Sequence, residues 1–254
     1  MSEVQMSGDV IEALSADRAV MLELCGQFSE ADWAAGSGCP GWTVKDLVAH
    51  LAALFWMVVD PATLPDAAGL PTERAQDAYV ESKRALSAAE VAADYESVSG
   101  QALGRLAGLA SLDFEVPLGD LGTYPARQLP TAFCFDHYIH IRGDLFPPRG
   151  PLPGQPPPAD ELRLGPALDW IEAALGQQNK DTVGSLTGPV EIEVTGPVAR
   201  TIRLGPAGQP AAAVRTGADA FVRWVTHRAR WEDVGAEASG DEKLLAALRD
   251  CRVF

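Results

Sequence analysis

The chain has 254 residues, 47% of them hydrophobic, which is ample for one large core or two modest ones. Its 20 Lys and Arg against 35 Asp and Glu give a formal net charge of −15, a field that repels phosphate backbones and anionic lipid. Nucleic acid and membrane surfaces are therefore excluded as partners, and an anionic small molecule would need a local cluster of arginines to receive it.

The opening MSEVQMSGDV lacks the basic and apolar stretches of a secretory leader, and the longest apolar run, LVAHLAALFWMVV, is too short for a membrane span. The expected location is cytoplasmic. Cys25, Cys39, Cys134 and Cys251 are far apart with no CxxC pair, which points to reduced thiols rather than a zinc knuckle or a disulfide framework.

In chain order, residues 9–29 carry apolar positions at helical intervals and predict a first helix. A loop containing GSGCPGW precedes a second helix over 43–60, where Thr43 is the expected N-cap, Asp46 completes a capping box, and Trp42 with Leu47 can form a staple. Residues 73–87 are a further helical segment, and the Ala-rich 88–108 is the third helix. The fourth runs from Thr131 to Leu145. Seven prolines in 147–158 predict an extended crossing. Helix then resumes, with an interruption expected at Gly165 and Pro166.

From Leu186 the texture changes to short alternating runs, LTGPVEIEVTG, ARTIRLG and AAAVRTG, separated by Gly or Gly-Pro and read as strands. ADAFVRWVTHRARW and DEKLLAALRD read as two closing helices. The fold class is mainly α: a helical bundle over 1–180, then a small α+β domain over 184–254 that contributes to the substrate pocket.

The chemistry gathers in FCFDHYIHIRGDL, residues 133–145. Asp136, His140 and Asp144 fall at i, i+4 and i+8, on one helix face with Phe133. His50 lies at the edge of the buried face made by Val44, Leu47, Leu51, Leu54 and Val58. Buried imidazoles and carboxylates need partners, and His50, Asp136 and His140 form a candidate metal set that leaves positions open for water or substrate. The alternatives are that these residues form a buried hydrogen-bonded network, or that His137 and Asp144 simply face solvent, and spacing alone favours such a non-metal reading.

The segments GCPGWTVKDLVAHL and FDHYIHIRGDL, followed by ADAFVRWVTHR and SGDEKLL, resemble the mycothiol-dependent maleylpyruvate isomerase family of the DinB-like metalloenzyme superfamily. The resemblance implies a DinB-like four-helix bundle followed by a sterol-carrier-like domain. It implies a divalent metal, commonly zinc, on His50, Asp136 and His140, and mycothiol or a similar thiol as cosubstrate. The implied reaction is cis-trans isomerisation of, or S-transfer to, a small electrophile such as maleylpyruvate. Arg228 matches the family's tail arginine and is the expected carboxylate clamp; Arg142, Arg223 and Arg230 are the other arginines nearby. Two departures stand out: Asp136 replaces the usual Glu, and His227 stands where the family tends to have Gly.

Cys39 beside the second helix would gain as a thiolate from the helix dipole, but packing within the CPGW turn is the preferred reading. Tyr138 and Asp144 could support the ligands. The expected partners are a small-molecule substrate and a thiol, in a monomer or homodimer. A thiol-independent metal hydrolase and a non-catalytic small-ligand-binding protein are the alternatives.

Overall fold

The computed structural model describes residues 3–109 and 111–254, with side chains from Asp9 onward. They divide into two compact units that meet at Pro158 and Ala159. The division falls some twenty residues before the expected boundary, because the helix that follows the prolines groups with the second unit.

The first unit contains α1 (Glu3–Gln27), α2 (Glu30–Ala34), α3 (Val44–Val59), α4 (Thr72–Lys83), α5 (Ala88–Leu109) and α6 (Leu129–Ile139). A short hairpin pairs β1 (Glu115–Pro117) with β2 (Thr123–Pro125). Helices α1, α3, α5 and α6 pack as a four-helix bundle, and α4 lies on α3. Leu14, Met21, Leu47, Leu51, Phe55, Tyr95, Leu106 and Phe135 fill its core. Each such side chain, fully removed from water, contributes about 1.5–3 kcal/mol. Among the described residues, no helix is long and apolar enough to cross a membrane.

The start of α3 follows the sequence: the Thr43 hydroxyl accepts from the Asp46 amide at 3.2 Å, and the Asp46 carboxylate accepts from the Thr43 amide at 2.9 Å. The unexpected α2 has the same device, a capping box between Ser29 and Asp32. The fourth helix runs as α6 to Ile139 and then widens into a π-helical turn, His140–Asp144, in which the Leu145 amide bonds to the His140 carbonyl at 3.1 Å. Such turns recur at functional sites. Residues 147–160 carry neither helix nor strand.

The second unit contains α7 (Glu161–Gln178), α8 (Lys180–Gly184), β3 (Val190–Thr195), β4 (Arg200–Leu204), β5 (Ala212–Gly217), α9 (Ala218–Val225), β6 (Glu237–Gly240) and α10 (Glu242–Arg249). The sheet order is β4-β3-β5-β6, with β3 and β5 parallel and the outer pairs antiparallel. Alternation buries Val190, Ile192, Val194, Ile202 and Val214, and α9 and α10 pack on β5 with Phe221, Val225, Leu244 and Leu248 in the core. Contrary to the expected interruption, α7 runs unbroken through the buried Pro166, which forfeits one helical bond. The penultimate helix is shorter than expected. It ends at Val225, and His227 turns the chain at φ 55°, in the left-handed region that favours glycine.

Candidate metal centre

Three elements of the bundle bring the predicted ligands together. Helix α3 supplies His50, 4% exposed; α6 supplies Asp136, and the π turn opens with His140, 6% exposed. His50 Nε2 lies 3.2 Å from Asp136 Oδ2, and His140 Nε2 lies 3.5 Å from Asp136 Oδ1. One donor atom from each residue falls within 4.8 Å of the others.

The outer edges of both rings are held as well. His50 Nδ1 is 3.1 Å from Gln76 Oε1, an acceptor delivered by α4, and His140 Nδ1 is 2.8 Å from Asp144 Oδ2. Each Nδ1 therefore donates a proton outward, and each Nε2 lone pair turns inward toward the Asp136 carboxylate. Lone pairs and a carboxylate facing one another repel unless a proton or a cation lies between them. That donor set of two imidazoles and one carboxylate suits a divalent ion with open coordination positions.

The electrostatics carry the same demand for positive charge. Burial alone would raise the Asp136 carboxyl, but His140 and His50 outweigh it and hold it well below the usual carboxylate range. Burial alone would lower His140; Asp136, then Cys39, and hydrogen bonds to Asp136 and Asp144 instead raise it well above the usual imidazole range.

Around the site, the loop 36–43 closes against the π turn. The Gly38 amide donates to the Asp144 carbonyl at 2.8 Å, and a Cβ at Gly38 would stand 2.7 Å from Asp144 Oδ1, so glycine is required for this approach. Arg149 Nε is 3.4 Å from Asp144 Oδ1, and its guanidinium also donates to the Gly38 carbonyl. Cys39 Sγ lies 3.4 Å from Asp144 Oδ2 and 3.6 Å from His140 Nδ1, so its position is polar as well as packed. The Trp42 ring sits 5.0 Å from the His50 ring, and its indole N–H donates to Asp77 at 3.1 Å.

Two expectations are corrected. His137 and Asp144 do not face solvent; both side chains are fully buried. His137 Nδ1 donates to the Phe133 carbonyl at 2.9 Å, so its Nε2 accepts from the Tyr95 hydroxyl at 3.1 Å. Burial lowers the His137 pKa, in keeping with a neutral ring. Arg142 is committed within the bundle, with a bidentate pair to Asp17 at 2.9 and 3.1 Å and its guanidinium 4.3 Å over the Tyr138 ring.

In the second unit, Arg223 pairs with Asp219 at 3.0 Å and Arg230 with Asp233 at 2.9 Å, as arginines that offset nearby acids do. Arg228 is half-buried and lines a cavity of about 540 Å³ with Trp224, Trp231, Arg230 and Arg249. Sequence reasoning missed Gln76 and Arg149, whose roles depend on how α4 and the chain beyond the π turn dock. Asp144 is legible as a support from its i, i+4 spacing to His140.

The family model described as the mycothiol maleylpyruvate isomerase N-terminal domain matches residues 14–141. No curated protein matches the chain. Two solved structures are similar over 95% of this chain and 97% of theirs, with a TM-score of 0.60 and 18% identity. One is the mycothiol-dependent maleylpyruvate isomerase and the other a histidine-to-alanine mutant of it; at that identity the likeness is one of fold. The family match spans half of the chain and takes in His50, Asp136 and His140, and the chain therefore belongs to the mycothiol maleylpyruvate isomerase family of enzymes.

Proposed function

We propose that this protein catalyses a thiol-dependent reaction of a small electrophile, with mycothiol or a similar thiol as cosubstrate and His50, Asp136 and His140 as the ligands of a divalent metal. The observation that carries the reading is the inward convergence of two buried imidazole Nε2 atoms on the half-buried Asp136 carboxylate. A free thiol has a pKa of about 8.5 and is mostly protonated at neutral pH; a divalent ion, zinc foremost, supplies the Lewis acidity that makes it a thiolate.

The chain's own groups then have distinct tasks. Gln76 and Asp144 keep the two Nδ1–H groups turned outward, which preserves the Nε2 lone pairs for the ion. The Asp136 carboxyl, held well below the usual carboxylate range by His140 and His50 against the effect of burial, offers the ion an anionic ligand. Its side chain is one methylene shorter than the Glu usual in the family, so an ion held there would sit closer to α6 or be bound through water. Arg228 serves as the carboxylate clamp, since a planar guanidinium binds a carboxylate through two parallel bonds. The thiolate adds to a conjugated cis double bond, the resulting single bond rotates, and elimination returns the trans product and the thiol. On a substrate that carries a leaving group or an electrophilic ring, the same thiolate would displace the group or open the ring, which gives S-transfer.

The test is turnover of maleylpyruvate with mycothiol present and absent. Isomerisation that requires the thiol supports the reading. Hydrolysis of the substrate that proceeds equally without the thiol would replace the reading with that of a metal hydrolase, in which the ion activates water. The proposed setting is the cytoplasm, with no nucleic-acid or membrane partner.

A further inference from the structure

On the far side of the His140 ring lies a second set of donors. Cys39 Sγ is 3.6 Å from His140 Nδ1 and 3.4 Å from Asp144 Oδ2, and those two atoms are 2.8 Å apart. The three donor atoms meet the same mutual distance of 4.8 Å as the first set. We infer that Cys39, His140 Nδ1 and Asp144 form a second cation site, for a thiophilic divalent ion such as zinc or cadmium, with the His140 ring bridging the two sites as an imidazolate when both are filled.

Geometry carries the inference. Tetrahedral zinc with bonds of about 2.3 Å to sulfur and about 2.0–2.2 Å to nitrogen and oxygen sets sulfur-to-nitrogen and sulfur-to-oxygen edges near 3.6 Å, and a nitrogen-to-oxygen edge near 3.4 Å. Both edges to Cys39 already have that length. The remaining edge is short because a proton is shared between His140 Nδ1 and Asp144, and it opens when a cation takes the proton's place. With the first site filled, binding therefore releases two protons to solvent, one from the Cys39 thiol and one from His140 Nδ1.

The supports are rigid. Arg149 engages Asp144 through Oδ1, which leaves Oδ2 facing Cys39 and His140. The Gly38 amide ties the Cys39 loop to the Asp144 carbonyl, and the close approach at Gly38 sets how deep the sulfur sits. Cys39 is half-buried, so an ion has a route in, whereas Asp144 is fully buried. Of the four thiols, Cys39 is the one in a candidate metal group among the described residues.

Because the imidazole is shared, the inference rests partly on the reading above, and its test separates the two. Metal-free full-length protein is titrated with cadmium(II) while the thiolate-to-metal charge-transfer band in the ultraviolet and the binding stoichiometry are followed. Wild type is expected to take up two equivalents and to show the band. Cys39→Ser is expected to bind one equivalent with no band, and His50→Ala to keep the band. If the first site fails while this one holds, His50→Ala binds as much as wild type and still shows the band. A wild type with no thiolate band, or a folded Cys39→Ser variant that retains it, would overturn the inference. Far-ultraviolet circular dichroism establishes that each variant is folded.

Discussion

His137 and His140 stand one turn apart on the same helix, both buried, and they illustrate opposite uses of one side chain. The His137 ring meets a carbonyl on one side and a hydroxyl on the other, so donor faces acceptor at both nitrogens and a neutral ring is satisfied. The His140 ring meets a carboxylate on each side, and no neutral tautomer can satisfy both. A buried imidazole is thus diagnostic by its partners rather than by its burial. The first closes its own hydrogen-bond account, and the second requires a positive charge from outside.

The comparison can be broken most sharply on the His140 side. Asp136→Ala removes the group on which both Nε2 atoms converge, and is expected to reduce metal content and thiol-dependent turnover to background while the fold persists. Gln76→Leu leaves every ligand in place but frees the His50 ring to change tautomer. It is expected to weaken metal binding by about 10–100-fold, read by competition with a chromophoric chelator.

pH offers a smaller graded test. In the metal-free protein His140 is raised, so its contribution to stability is fully present below about pH 6.5 and lost as the pH rises through its folded value. Asp136 is depressed, so its contribution is present above about pH 3.9 and lost as the pH falls through its folded value. Denaturant titrations of metal-free protein should therefore lose stability on the alkaline side. Metal affinity should move the other way, rising by up to about tenfold per pH unit while one proton on His140 must be displaced.

The smallest effect on metal is expected on the His137 side. His137→Leu strands the Tyr95 hydroxyl in the core, which costs about 1–3 kcal/mol of stability by denaturant unfolding, yet metal content should stay at the wild-type level. A loss of metal in that variant would erase the distinction between the two histidines.

Much of this was legible in the chain, for physical reasons that also mark the limits. The Thr43 and Asp46 capping box is local, so it could be read from spacing, and the same signal at Ser29 and Asp32 was there to be read for α2. His140 and its Asp136 and Asp144 neighbours share one face because helical spacing puts them there, and His50 faces them because α3 and α6 are bundle neighbours. Gln76 could not be found this way, since its role exists only once α4 has docked on α3. Nor could β6, whose EASG carries no strand propensity and pairs only because β5 offers it an edge. The break expected at Gly165 and Pro166 did not occur, because burial of Pro166 along α7 outweighs one lost hydrogen bond. His227 stands where the family tends to have glycine, and its positive φ explains what the glycine would do there.

The most direct test of the central claim is the zinc content of the purified protein beside that of His50→Ala, by elemental analysis. Convergence of His50, Asp136 and His140 on one ion requires that the variant hold about one equivalent less than wild type, with thiol-dependent turnover lost in parallel. Equal metal in the two proteins, or none in wild type even after reconstitution, would contradict it and leave the three residues as a buried polar network.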